Sequence, residues 1–237
     1  MSLFFDVSSE ILNPTIFIGQ FEIREPITTL TDFLTACVSG LSFVSFYFLN
    51  KKYKSKAAMF FELYFLFYFI GMTSAAFLGH ALQAYVSSEV KIIGWVFSTI
   101  GQLFLALGSL QIVKKVILYK WFKAWHLILI CQALIFIFFM IYPVYSNFKI
   151  AQLSASVILI GFVLPLHIFN YVKTKSYGSM LIVLIIFYAL IPAFIYNKQV
   201  SISKWFNYHD ISHVLMSIFM LLMFFATRKL SLQKSGL

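Results

Sequence analysis

The sequence predicts an all-α integral membrane protein, a bundle of seven transmembrane helices with its N-terminus outside and its C-terminus in the cytoplasm. Three observations support this fold class. Of the 237 residues, 61% are hydrophobic and only 11% are charged, whereas a soluble domain averages about 25% charged residues. Seven apolar runs are long enough to cross the ~30 Å hydrocarbon layer as helices. The basic residues are concentrated in alternate connections between these runs.

Each predicted helix corresponds to one apolar run of roughly 20 residues, because a helix satisfies its own backbone polar groups inside the hydrocarbon. The short connections make sequential neighbours antiparallel, which favours a compact bundle. No internal repeat is visible, so the sequence does not support an inverted-repeat transporter. The predicted spans lie near residues 29–50, 57–85, 92–113, 124–143, 150–172, 178–197 and 208–227.

The orientation follows from the distribution of lysine and arginine. One set of connections and the C-terminal tail carry 13 of the 18 basic residues, and the other set carries 5. Basic loops are retained in the cytoplasm, so this division places the N-terminus outside and the C-terminus inside. The basic residues stand in short clusters between apolar runs, which argues against nucleic acid as a partner.

The predicted helices divide the chain into three parts. Residues 1–28 form an N-terminal interfacial segment, residues 29–227 the seven-helix transmembrane domain, and residues 228–237 a basic cytoplasmic tail. The first segment has no basic n-region, and its apolar residues are interrupted by Asp6, Glu10 and Asn13. It is therefore not expected to be a cleavable signal peptide.

Three histidines are predicted to meet at one level of the bundle. His80 lies late in the second helix, which runs outwards, and His209 and His213 begin the seventh, which runs inwards. Four residues apart, His209 and His213 point along one helix face, the spacing that recurs in zinc sites. A zinc site of these three residues is favoured over a hydrogen-bonded polar cluster and over haem ligation. His126 and His167 are expected at the inner side.

Two carboxylates are predicted at the same depth as the histidines. A buried carboxylate in the bilayer region is costly unless it is paired or faces water, so Asp32 and Asp210 are candidates for catalysis. Asp32 could equally be a helix N-terminal acid that complements the helix dipole. Asp210 could be a first-turn acid of the seventh helix or a partner that orients a ligand imidazole.

The stretch GMTSAAFLGH carries Gly71, Ser74, Phe77 and His80, and NYHDISH carries the H-x-x-x-H pair. With seven helices, this pattern resembles the superfamily of alkaline ceramidases and adiponectin-receptor-like proteins. The resemblance implies that three histidines hold zinc, that a serine and an aspartate assist the attacking water, and that a lipid amide is hydrolysed.

Two features depart from that pattern. Ser74 lies six residues before His80 instead of four, and the aspartate about eleven residues after the first histidine is absent. Either Asp32 or Asp210 replaces this aspartate, or the chemistry is altered. The acidic FEIREP stretch with Asp32 also resembles the calcium-binding region of alkaline ceramidases, which makes Ca²⁺ a secondary candidate beside Zn²⁺.

The leading hypothesis is a zinc-dependent intramembrane hydrolase of a lipid amide or ester. His80, His209 and His213 would be the ligands, Asp210 or Asp32 the proton acceptor or orienting group, and Ser74 an oxyanion donor. The alternatives are a membrane receptor or sensor with a structural metal, and a haem-binding protein. The expected partner is a membrane lipid, in a bacterial inner membrane or in a eukaryotic endomembrane or plasma membrane.

Overall fold

The computed structural model describes residues 14–142 and 147–234, which form a short β-hairpin and seven long helices. The hairpin consists of β1 (Thr15–Ile18) and β2 (Phe21–Arg24). The helices are α1 (Pro26–Tyr53), α2 (Lys56–Ala81), α3 (Ser88–Val113), α4 (Tyr119–Ile141), α5 (Phe148–Thr174), α6 (Tyr177–Asn197) and α7 (Tyr208–Lys234).

The protein is a multi-pass membrane protein. Within the described residues, seven helices are long and apolar enough to cross a bilayer, and the predicted all-α seven-helix fold is confirmed. Their outer faces carry large apolar side chains that a soluble protein would bury, such as Leu41 at 74% exposure and Leu127 at 64%. These side chains are suited to contact with lipid tails.

The core of the bundle is centred on α2, which packs between α1 and α3, while α1 also packs along α7. Close approach of α2 and α3 depends on glycine. A Cβ atom on Gly108 would stand 2.5 Å from the ring of Phe61, and one on Gly101 would stand 2.8 Å from that of Tyr68. Small residues of this kind allow membrane helices to approach and gain van der Waals contact.

Two helices are irregular next to a proline. Proline has no N–H, and its ring clashes with the carbonyl four residues earlier. In α5, Pro165 places this clash at Gly161, within a π-helical segment at Val157–Val163. In α6, Pro192 places it at Tyr188, the last residue before the helix is interrupted at Ala189.

α2 ends in a second π-helical segment, Ala75–Ala81, that contains no proline. Its residues are mostly small, and His80 is its next-to-last residue. Wider turns of this kind are frequent at functional sites because they redirect side chains relative to an α-helix.

The hairpin precedes α1 and lies against the end of α2. Its two-residue turn includes Gly19, whose φ of +62° is readily adopted by glycine. The ring of Phe21 stacks on Tyr85 with centroids 4.9 Å apart, and the Glu22 N–H donates to the Tyr85 hydroxyl at 2.7 Å. The hairpin thereby fixes the residues that lead into α1.

Two helices extend beyond the ends that hydropathy indicates. The segment 1–28 includes the start of α1, because Pro26 is favoured in the first turn of a helix; residues 1–13 lie outside the described residues. Residues 228–234 of the predicted tail belong to α7, which continues to Lys234. Basic residues are favourable at a helix C-terminus, and Lys229 lies 4.2 Å from the ring centre of Tyr177.

Candidate metal centre

Three histidine rings converge at one end of the bundle. His80 comes from the π-helical end of α2, and His209 and His213 come from successive turns at the start of α7. The ring centroids form a nearly equilateral triangle, 6.4 Å from His80 to His209, 6.2 Å from His80 to His213 and 6.3 Å from His209 to His213. The predicted meeting of these residues is therefore present.

Asp32 lies beside this triangle, in the second turn of α1. Its side chain is 1% exposed, its Oδ1 stands 3.0 Å from His213 Nδ1, and its Oδ2 stands 3.5 Å from His80 Nε2. Neither carboxylate oxygen has a hydrogen-bond partner of acceptable geometry in the described part of the chain, and His213 Nδ1 also lacks one. Buried polar atoms without well-formed hydrogen bonds are costly, so these three are candidate ligand atoms.

Glu25, which belongs to the FEIREP stretch but was not among the predicted zinc-site residues, approaches the other side of the His80 ring. Its carboxylate Oε2 pairs with His80 Nδ1, and its side chain is 6% exposed. The residue has φ of +46°, the left-handed region that costs a non-glycine residue about 1–3 kcal/mol. Its N–H donates to the Pro14 carbonyl at 2.9 Å, and Pro26 follows it. The hairpin thus holds Glu25 in a strained conformation that directs its carboxylate to His80.

The charge on Glu25 is favoured by its surroundings. Burial raises the pKa of this carboxyl, but the hydrogen bond from His80 and the positive charges of His80 and Lys91 outweigh burial, and the pKa is lowered. Glu25 is therefore ionised at neutral pH and can hold a proton on His80 Nδ1. The ring then presents Nε2 towards Asp32.

Asp210 lies outside the triangle and has a different set of partners. Thr28 Oγ1 donates to its Oδ1 and the Asn207 N–H donates to its Oδ2, both at 2.7 Å. It is a first-turn acid that caps α7 and ties it to α1, one of the two roles that the sequence left open. In the described part of the chain no hydrogen bond joins Asp210 to a histidine ring.

Ser74 is also separated from the histidines by its hydrogen bonding. Its hydroxyl donates to the Ile70 carbonyl in the preceding turn at 2.9 Å. The two inner histidines have local partners as well: His126 Nδ1 contacts the Phe122 carbonyl at 2.9 Å, and His167 Nδ1 contacts the Ser179 hydroxyl at 3.0 Å. Neither joins the triangle.

Among residues 14–142 and 147–234, no three His, Cys, Asp or Glu side chains stand close enough to hold a metal ion without moving. Three imidazoles on one tetrahedral zinc would place their ring centroids about 5 Å apart, so the observed rings stand about 1 Å too far apart. Asp32 Oδ1 lies 3.0 Å from His213 Nδ1, and Asp32 Oδ2 lies 3.5 Å from His80 Nε2. Both distances are close to the about 3.3 Å that separates adjacent ligand atoms of one tetrahedral zinc.

Comparison with known proteins adds one finding. Residues 27–232 match the model of a family described as a family of unknown function, DUF6962. The chain belongs to this family. None of the curated proteins matches it.

The DUF6962 match covers all seven helices and most of the cluster. Asp32, His80, His209 and His213 lie within the matched residues, and Glu25 lies just before them. The hairpin and Glu25 therefore lie outside the part of the chain by which the DUF6962 family is recognised.

Proposed function

We propose that this DUF6962 protein is a zinc-dependent hydrolase that cleaves an amide or ester bond of a membrane lipid. The observation that carries the proposal is the convergence of His80, His209 and His213 beside Asp32, whose carboxylate is buried without a hydrogen-bond donor. A cation among these side chains would satisfy the carboxylate and the unpartnered His213 nitrogen together. A proton on His213 would also offset the carboxylate charge across the 3.0 Å pair, whereas a cation would engage the His80 nitrogen as well.

The donor set favours zinc over the other candidates. Zinc takes imidazole nitrogen and carboxylate oxygen in a shell of four, whereas calcium takes six to eight oxygen atoms. Of the nearby carboxylates, Asp210 is occupied by Thr28 and Asn207, and Glu25 pairs with His80. Too few oxygen atoms remain for calcium.

The side chains around the three histidines have separate roles. Glu25 fixes the His80 tautomer and leaves Nε2 as the metal-binding atom, the usual relationship between a carboxylate and a metal-bound histidine. Asp32 is the proton acceptor for the attacking water. Asp210 positions the start of α7, and so the two histidines on it. Zinc at this site would polarise the scissile carbonyl and lower the pKa of water towards ~7.

Two features bear on the substrate. Phe77 and Phe33 lie next to each other on the surface between α2 and α1, with ring centroids 5.7 Å apart, and they are 43% and 40% exposed. Phe77 precedes His80 by one helical turn, so an acyl chain along these rings would bring its head to the cluster. Ser74 could serve as an oxyanion donor only by leaving the Ile70 carbonyl.

A second candidate is a non-catalytic receptor or sensor in which the metal joins α2 to α7. The position of Asp32 favours it, because the carboxylate is close enough to two nitrogens to be the fourth ligand. Three histidines and Asp32 would then close a tetrahedral shell, as in structural zinc sites. A hydrolase needs that fourth position for water.

We also propose a remote relationship between the DUF6962 family and the alkaline ceramidase and adiponectin-receptor-like superfamily. Seven helices, a histidine late in the second and an H-x-x-x-H pair at the start of the seventh support it. In this chain Asp32, on α1, takes the place of the missing aspartate, because its carboxylate lies beside the histidines.

The proposal is tested by metal analysis of the purified protein with His213→Ala and with His126→Ala as the matched control. We expect about one zinc per chain in the wild type and in the control, and loss of zinc in His213→Ala. Full zinc content in a folded His213→Ala protein would overturn the site, and a Soret absorption band would point to haem.

Turnover separates the two candidate functions. Fluorogenic lipid amides and esters are offered to the zinc-loaded protein, to the chelated protein and to Asp32→Ala. Hydrolysis that needs both zinc and Asp32 supports the hydrolase. Zinc binding that is histidine-dependent, with no hydrolysis of either class, supports the structural metal.

A further inference from the structure

A cavity of about 420 Å³ lies at the opposite end of α1 and α2 from the histidines, beside the turn that joins the two helices. Its wall includes Lys51, Lys54 and Lys56 from the turn, and Tyr47 and Met59 from the helices. All three lysines are exposed and line one open cavity, where their charges favour an anion over a cation. The cavity is thus a candidate binding site unrelated to the proposed hydrolysis.

The lysines around this cavity have little negative charge to offset them. Glu62 is the acid in the wall, and Asn50 Nδ2 donates to its Oε2 at 3.0 Å. Within the described residues, none of the three lysines forms an ion pair. Glu62 is also the one acidic residue in the sequence that lies on the side of the predicted bundle where 13 basic residues stand. The cavity therefore keeps a net positive charge.

The start of α2 adjoins the same cavity. Lys54 adopts the left-handed conformation, with φ of +46°, and ends α1. Ser55 caps α2, whose 19 α-helical residues begin at Lys56. The first amides of a helix lack carbonyl partners and carry partial positive charge, an arrangement that favours phosphate. The cavity, the lysines and the helix start all favour an anion such as phosphate.

The surroundings of the cavity suit an amphiphile. Tyr47 and Met59 are 47% and 38% exposed, on the faces of α1 and α2 that a bilayer would cover. The lysines follow the apolar run of α1 and precede that of α2, which is where lipid headgroups would lie beside a membrane-spanning helix pair. An anionic phospholipid can place its phosphate among the lysines while its acyl chains lie along α1 and α2.

We propose that the cavity between α1 and α2 binds a phosphate-bearing anion through Lys51, Lys54 and Lys56 and the start of α2. Phosphate chemistry of this kind is offered by an anionic phospholipid and by free phosphate. The two sources are distinguished by whether binding needs the lipid tails.

Native mass spectrometry on the detergent-purified full chain tests the proposal, with dioleoyl phosphatidate, dioleoyl phosphatidylcholine and inorganic phosphate as probes. The cavity variant is Lys51→Gln, Lys54→Gln and Lys56→Gln together. The control removes the same charge elsewhere on the lysine-rich side, as Lys120→Gln, Lys123→Gln and Lys173→Gln. We expect the wild type and the control to retain one phosphatidate at least tenfold better than phosphatidylcholine, and the cavity variant to lose this preference.

Each outcome bears on the proposal. Binding of phosphatidate but not of inorganic phosphate identifies the lipid as the source, and equal competition by millimolar inorganic phosphate identifies the free ion. Equal loss of phosphatidate in the cavity and control variants would show that general positive charge suffices and would overturn the proposal. So would failure of the folded wild type to retain either probe. Zinc content is unchanged in every variant, so this test is independent of the proposed hydrolase.

Discussion

Asp32 and His213 lie face to face in the buried end of the bundle, with Asp32 Oδ1 3.0 Å from His213 Nδ1 and neither atom in an acceptable hydrogen bond. The pair joins α1 to α7, and His80 from α2 adds a second nitrogen 3.5 Å from the other Asp32 oxygen. Three helices thus place two imidazole nitrogens within 3.5 Å of one buried carboxylate. A proton on His213 or a cation at this position would offset the carboxylate charge.

Substitution of Asp32 separates the metal-free and metal-bound states. Asp32→Asn removes the buried negative charge, so the metal-free variant is expected to be more stable than the metal-free wild type, by about 1–3 kcal/mol. Its stabilisation by zinc should be retained if Asp32 accepts the proton of the attacking water, and should shrink if Asp32 is the fourth ligand, because the amide is a poor ligand. Thermal unfolding in detergent with chelator and with zinc measures both effects. A variant that is less stable than the wild type in chelator would show instead that a proton on His213 compensates the Asp32 charge.

Substitution of Glu25 is expected to change the zinc affinity more than it changes the stability of the metal-free protein. Glu25→Gln should weaken zinc binding about 10- to 100-fold, because His80 loses the carboxylate that orients it. Glu25→Gly should do the same while relieving the left-handed strain, so its metal-free form should not be destabilised. The control is Glu22→Gln, which alters a more exposed pair with Arg24. Zinc titrations of all three provide the comparison, and unchanged affinity in Glu25→Gln would exclude the role.

Asp210 is expected to act on stability. Asp210→Ala removes the partner of Thr28 and the cap on Asn207, which should cost about 1–3 kcal/mol of unfolding free energy. Because Thr28 and Asp210 share one hydrogen bond, Thr28→Val and Asp210→Ala should be non-additive by about 0.5–3 kcal/mol. A double-mutant cycle of melting free energies measures the coupling. Retained zinc content in the folded variants would distinguish this effect from ligand loss.

The fold could be predicted because a membrane allows few alternatives. An apolar run of roughly 20 residues must form a helix there, so the seven spans follow from run length and composition. The meeting of His80 with His209 and His213 also follows, since helix direction fixes the depth of each residue. The helix ends were less accurate: capping and basic residues extend α7 to Lys234, whereas hydropathy places its end near residue 227.

The contacts of Glu25, Asp32 and Asp210 are tertiary contacts, which leave no periodic pattern in the sequence. Glu25 reaches His80 only because a hairpin turn and a left-handed residue precede Pro26. A signal was present, an acid directly before a proline that starts a helix, but this pattern does not tell where the acid points. The sequence placed Asp32 and Asp210 at the same depth as the histidines. Depth alone does not show which of the two carboxylates accepts hydrogen bonds from neighbouring groups.

The orientation of the bundle gives a prediction that does not involve the site. The 13 to 5 division of basic residues predicts that Leu237 is cytoplasmic and that the connection after α2 is on the other side. A reporter fused after Leu237 should therefore read as cytoplasmic, and the same reporter inserted after Ser87 should read as exported. The reverse pattern would place the three histidines at the cytoplasmic face.

Packing of α2 against α3 predicts opposite effects for two glycine-to-alanine changes. In Gly108→Ala the new Cβ would stand 2.5 Å from Phe61, whose side chain is fully buried, so overpacking should cost about 1–3 kcal/mol. Gly161 has no atom within 4 Å of an added Cβ. Gly161→Ala should therefore be neutral or stabilising by up to about 1 kcal/mol, because alanine favours helix.

Melting of both variants in detergent measures the difference, and the double variant Gly108→Ala with Phe61→Leu identifies its cause. A smaller side chain at position 61 makes room for the added methyl, so Phe61→Leu should be less destabilising in the presence of alanine at position 108 than in its absence. This coupling arises only if α2 and α3 approach at Gly108 as closely as the structure shows. Equal stability of Gly108→Ala and Gly161→Ala would contradict that contact.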